Sequence, residues 1–154
     1  MTHQSPDTPP IDLRSFLTFR LSRLQAQMNS QAQHILRAHS DVGQTEWRVL
    51  LLVHSRGEST MAHVVRDGEI DKAQVSRAVK GLTRKGYLDS RVDAGDHRQS
   101  ILTLTPSGND LYHGVVPHMR ARQEHFTSGL SDAELDVMYK ILDRLESAAQ
   151  NREF

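Results

Sequence analysis

Residues Asp71 to Val92 read DKAQVSRAVKGLTRKGYLDSRV, followed by a polar tip, Asp93 to Gln99, and by Ser100-Ile101-Leu102-Thr103-Leu104-Thr105. Val75, Ala78, Val79 and Leu82 fall at the three- and four-residue spacing of a helix that buries one face. Asp71, three residues ahead of Gln74, supplies a start resembling a capping box, and Gly86 supplies the stop. Tyr87 to Val92 and Ser100 to Thr105 are short runs flanking a glycine-containing tip, the pattern of a β-hairpin. Upstream, Thr60 can cap a short helix that runs through Val64 and Val65 to Gly68. Short helix, tight connection, second helix and charged hairpin form the order of a winged helix-turn-helix.

Working outward, Thr45 can cap a helix carrying Trp47, Val49, Leu50, Leu51 and Val53 and ending at Gly57. Before it, Leu17, Leu21, Leu24, Met28 and Ile35 form the stripe of a long amphipathic helix. After the hairpin, Thr105-Pro106 places a cap and then proline at the first helical position, so a fifth helix begins there; Gly114 and Pro117 are expected to bend it. Ser131 to Glu134 is a capping box for a last helix with Leu135, Met138, Leu142 and Leu145 on one face. The expected fold is mainly α (α+β). Residues 1–10 are a leader and 11–149 a single module; its winged part spans about 45–105, and its terminal helices, about 11–38 and 106–149, form a dimerisation region. Residues 150–154 are a frayed tail.

Composition narrows the chemistry. The 154 residues are 37% hydrophobic and 25% charged, as in an ordinary globular domain. The absence of cysteine excludes disulfides, thiolate chemistry and cysteine-bound metal. The longest strongly apolar run, Val49 to Val53, is far below the roughly 18 residues of a membrane span. A cytoplasmic, nucleoid-associated protein with no membrane partner is expected. No phosphate-cradling glycine loop, G-x-S-x-G or G-x-G-x-x-G occurs, so an enzyme is not expected.

Nineteen basic residues balance nineteen acidic ones, yet between Lys72 and Arg91 six basic side chains face one acid, Asp89. A neutral chain with one basic strip is suited to docking a polyanion in one orientation. Lys72, Gln74, Ser76, Arg77, Lys80 and Arg84 populate the outward rows and ends of the helix. Gln can read adenine and Arg guanine in the major groove, while Lys neutralises phosphate. Thr60, at the start of the preceding helix, joins this candidate DNA-binding set. At the hairpin tip, Asp96 can hold Arg98 by a salt bridge and leave its guanidinium aimed at a minor groove.

Asp96-His97-Arg98, five residues, and Leu104-Thr105 match the D-x-R-x-x-x-x-x-L-T wing signature of the MarR family of bacterial transcription regulators. Ile70 to Arg77, with Val79, Leu82 and Lys85-Gly86-Tyr87-Leu88, resembles that family's recognition helix and its exit into the wing. Thr105-Pro106-Ser107-Gly108 and Leu130 to Leu135 resemble the starts of its last two helices. The likeness runs from about Ile11 to Ala149. One departure stands in Arg66-Asp67-Gly68-Glu69-Ile70, where the family's leucine is missing and its turn glycine displaced.

The resemblance implies a homodimer on a pseudo-palindromic double-stranded DNA operator, its subunits interlocked through the terminal helices. Leu17, Leu21, Leu135, Met138, Leu142 and Leu145 are then the interface residues. It also implies a repressor released by a small aromatic or phenolic effector held between the dimerisation helices and the winged module. Arg20, His39 and Trp47 could form that wall, as a cation, a titratable donor and an aromatic face. No cofactor is expected. Nine histidines raise a metal-responsive alternative, but His34/His39 and His113/His118 are five apart rather than four, so no metal ligands are assigned. A winged-helix module that binds protein instead of DNA is the other alternative.

Overall fold

The computed structural model describes residues 12–95 and 99–151. The leader, Asp96 and Arg98 with their proposed salt bridge, and the tail beyond Asn151 lie outside the described residues. A 3-10 turn at Leu13–Ser15 precedes α1 (Leu17–His39) and α2 (Gln44–Arg56). Then come β1 (Glu58–Thr60), α3 (Met61–Gly68), α4 (Lys72–Arg84), β2 (Leu88–Val92), β3 (Ser100–Leu104), α5 (Pro106–Thr127) and α6 (Asp132–Ala149).

The helix ends follow local chemistry. Asp71 caps α4, its Oδ1 accepting from the N–H groups of Ala73 at 2.9 Å and Gln74 at 3.1 Å. Thr60 caps α3 by accepting from His63, and Thr105 caps α5 by accepting from Gly108. The Ser131–Glu134 box closes in both directions at α6. At α2 the cap is Gly43 rather than Thr45: the Glu46 carboxylate reaches back to accept the Gly43 N–H at 2.9 Å, which already closes the first turn. α5 continues through Gly114 and Pro117 as one helix.

The core lies under the winged module. Val49, Leu50 and Val53 of α2, Val64 of α3, Val75 and Leu82 of α4, Leu88 of β2 and Leu102 of β3 are buried together, with Leu36 of α1 and Val115 of α5 closing the ends. The displaced glycine also has its place here. A Cβ on Gly68 would stand 2.9 Å from Leu52, and the left-handed position falls one residue later, on Glu69 at φ 48°.

The expected two-stranded hairpin wing is formed by β2 and β3, and β1 adds a third strand to its sheet. The sheet order is β1-β3-β2, all antiparallel, with Ser59 opposite Leu102 and Ser90 opposite the other edge of the same residue. β1 ties the connection between α2 and α3 to the wing, so the hairpin is anchored along one edge of the helix-turn-helix.

Candidate nucleic-acid interface

Successive residues of a helix are about 100° apart, and α4 divides cleanly on that basis. Val75, Ala78, Val79 and Leu82 point into the core, which leaves Ala73, Arg77, Lys80 and Arg84 at the centre of the exposed face. Lys72 and Ser76 flank that face on one side and Gln74 on the other. Gln74 and Arg77 border a polar groove shared with Gln33, Gln44 and Thr45 from α1 and the start of α2.

Charge on this face is less than the count of basic residues suggests, because two are already engaged. Lys85 Nζ is 2.8 Å from Glu46 and donates to the Asp41 carbonyl at 2.6 Å. Arg91 pairs with Glu58 at 2.7 Å. Lys72, Arg77, Lys80 and Arg84 have no ion pair among the described residues and face solvent. Four uncompensated cations on one exposed helix face are what a phosphate backbone neutralises. Thr60 is half-buried and its oxygen is committed to capping α3; its hydroxyl hydrogen remains to donate.

The struts behind α4 hold it in place. The Glu46 carboxylate packs against Gly81, where a Cβ would have to displace it, and the same carboxylate takes Lys85 at the end of the helix. The Asp41 side chain hydrogen-bonds the Tyr87 hydroxyl, which holds the Tyr87 pKa above its ordinary value, with desolvation and the Asp41 charge adding to the shift.

Arg20, His39 and Trp47 do not form one wall within the chain. Arg20 and His39 lie on the same helix, nineteen residues apart, which is about 28 Å along its axis. Arg20 borders a groove with Leu17, Leu21 and Leu24, whereas His39 stacks on His118 of α5 at 3.6 Å. Trp47 is a core residue, 5% exposed, stacked against Tyr112 at 5.9 Å. Tyr112 in turn stacks on His54 at 3.6 Å, and His54 Nδ1 lies 3.3 Å from Asn109 Oδ1, so this cluster pins α2 to α5.

The terminal helices leave an apolar face open. α6 has no buried residue, and together with α1 it lines a groove of about 930 Å³ that includes Leu17, Leu21, Met138, Leu142 and Leu145. Val137 and Ile141, in the next row of α6, are 55% and 48% exposed on the same groove. Leu135 is half-buried and does not border it.

Residues 40–99, which carry α2, the helix-turn-helix and the first arm of the wing, match the model of the MarR family. Over that stretch the chain resembles the MarR family. Among its relatives, the uncharacterized HTH-type transcriptional regulator YkoM of Bacillus subtilis is 27% identical over 117 residues, covering 75% of this chain and 76% of that one. The HTH-type transcriptional repressor NicR of Pseudomonas putida is 27% identical over 103 residues, 64% of this chain and 65% of NicR. The structure of Bordetella bronchiseptica BpsR, whose DNA binding is regulated by 6-hydroxynicotinic acid, matches with a TM-score of 0.80 at 23% identity, over 89% of this chain and 97% of BpsR.

Set in the MarR fold, the face of α4 contains one residue that the sequence reading passed over. Ala73 sits at its centre near the N-terminus, where a methyl group can meet a thymine methyl in the major groove. Its signal was only its helical angle. Val137 and Ile141 were missed in the same way, as a second apolar row beside the expected one. Among the described residues, no helix is long and apolar enough to cross a membrane, and no three potential ligands converge as a metal site would require.

Proposed function

We propose that this protein is a MarR-family regulator, a homodimeric repressor that binds a pseudo-palindromic double-stranded operator on the nucleoid and leaves it when a small aromatic or phenolic effector binds. The observation that carries the reading is the exposed face of α4, with Arg77, Lys80 and Arg84 at its centre, without an ion pair among the described residues, and Gln74 at its edge. Gln74 and Arg77 read bases, Lys72, Lys80 and Arg84 take phosphates, Ser76 takes either, and Thr60 donates to the backbone from the start of α3. Arg98, outside the described residues, is the wing residue assigned to the adjacent minor groove.

The second copy supplies what α6 lacks. A row of apolar side chains with none of its residues buried is the face a two-fold partner covers, through Leu17, Leu21, Leu135, Met138, Leu142 and Leu145. Two winged modules fixed in this way meet half-sites about one helical turn of DNA apart. Repression is supported by the relative named a repressor, NicR, and effector control by BpsR. The test is a fluorescence-anisotropy titration against DNA flanking the protein's own gene: binding with two protomers per site is expected, and a single protomer per site would refute the dimeric arrangement.

A further inference from the structure

Between the C-terminal halves of α1 and α5 lies an open cavity of about 580 Å³, and of the residues assigned to a site in the readings above only His39 lines it. His34 and His39 enter it from α1, and His118, Arg122 and His125 from α5. The sequence gives no sign of this gathering, because the histidines of each helix meet only when the two helices pack. His39 and His118 lie face to face at 3.6 Å with their planes 12° apart. Arg122 spans to α1, donating from Nη2 to the Met28 carbonyl at 3.0 Å, while its Nε is buried with no hydrogen-bond partner. Ile35 and Ala121 supply apolar wall. No carboxylate lines the cavity.

We propose that this cavity binds a small organic polyanion carrying two or more carboxylate or phosphate groups. One permanent cation, with four imidazoles beside it and no acid among the lining residues, gives the groove a positive charge and several N–H donors. A single carboxylate satisfies one arginine; five donor side chains spread over two helices match several oxygens. The volume is that of a small-molecule site. It lies between two terminal helices, not between them and the winged module, and shares no lining residue with the α1–α6 groove.

Its position gives the anion a route to the DNA-binding face. His39 is the last residue of α1, and two residues later Asp41 holds both Lys85, at the end of α4, and Tyr87, at the base of the wing. A ligand that moves His39 acts on that strut. This regulatory consequence rests on the repressor reading; the binding itself does not.

The test uses metal-free, full-length protein and propane-1,2,3-tricarboxylate as probe, with acetate at matched ionic strength as control. Histidine ring shifts are followed by NMR and DNA affinity by anisotropy. Saturable shifts at His39 and His118 with tricarboxylate and not acetate are expected, weakened about tenfold or more by Arg122→Gln. Should Arg122→Gln fail to fold, His39→Gln provides the same comparison at an exposed helix end. Absence of shifts, equal shifts with acetate, or affinity unchanged in both variants overturns the site. Ring shifts with DNA affinity unchanged keep the site and overturn its regulatory role, whereas protein that never binds DNA refutes the repressor reading and leaves the anion site standing.

Discussion

The backbone carbonyl of Tyr87 lies against the α-carbon of Gly108, so that a Cβ there would stand 2.9 Å from the carbonyl carbon and closer still to its oxygen. The same carbonyl accepts the Thr105 N–H at 3.2 Å. The exit of α4, the base of the wing and the start of α5 therefore meet at one backbone crossing that only glycine allows.

Gly108→Ala is expected to destabilise the fold by about 1–3 kcal/mol, the usual cost of forcing a methyl group into filled space. Gly114, in the same helix, faces nothing within 4 Å, and Gly114→Ala is expected to stabilise by about 0.5–1 kcal/mol through backbone entropy. Thermal unfolding of the two variants should move in opposite directions.

The Asp41–Tyr87 bond gives a second, titratable check. Tyr87 has its folded pKa raised above 10.0, so its contribution to stability is complete below the unfolded value and is lost as pH rises through the folded one. Asp41→Asn should bring Tyr87 ionisation back toward the ordinary range and remove that alkaline loss. Ultraviolet titration of the tyrosines, compared with Tyr87→Phe, reads the effect; an unchanged Tyr87 transition would mean the bond does not form in solution.

On α4 the residues should separate by role. Arg77→Ala and Gln74→Ala are expected to lose roughly 1 to 3 kcal/mol on the operator and to relax preference at particular base pairs. Lys80→Ala should weaken all duplexes alike and lower the salt slope by about one. Equal losses on operator and random duplex for Arg77→Ala would make it a phosphate contact.

Leu142→Asp places a charge in the groove between α1 and α6 and should yield folded monomers, since no core residue of the winged module is touched. Sedimentation velocity with circular dichroism checks both halves of that statement. An intact dimer would put the interface elsewhere.

Much of this was readable in the chain because it is local. The α4 face follows from the spacing of Val75, Ala78, Val79 and Leu82, and the starts of α4, α5 and α6 follow from Asp71, Thr105-Pro106 and Ser131. The glycine at 108 was legible only as part of a resemblance; the crossing that requires it joins residues far apart in sequence. β1 was hidden because Glu58–Thr60 is three residues long and defined by pairing with a strand more than forty residues away. The trio Arg20, His39 and Trp47 failed as a single wall because residue chemistry carries no distances: helix length separates two of them and the core takes the third. The cap at Gly43 was missed because the group that closes it is the Glu46 side chain, not a hydroxyl at the cap.

The central claim, that α4 docks on operator DNA, is tested most directly by titrating the protein against the duplex flanking its own gene at two salt concentrations, with random duplex as competitor. Affinity that falls with salt by about 0.9 log units per log unit for each phosphate engaged, and that survives random competitor, is the expected result. Binding that ignores salt, or that random duplex erases as readily as the specific sequence does, would contradict it.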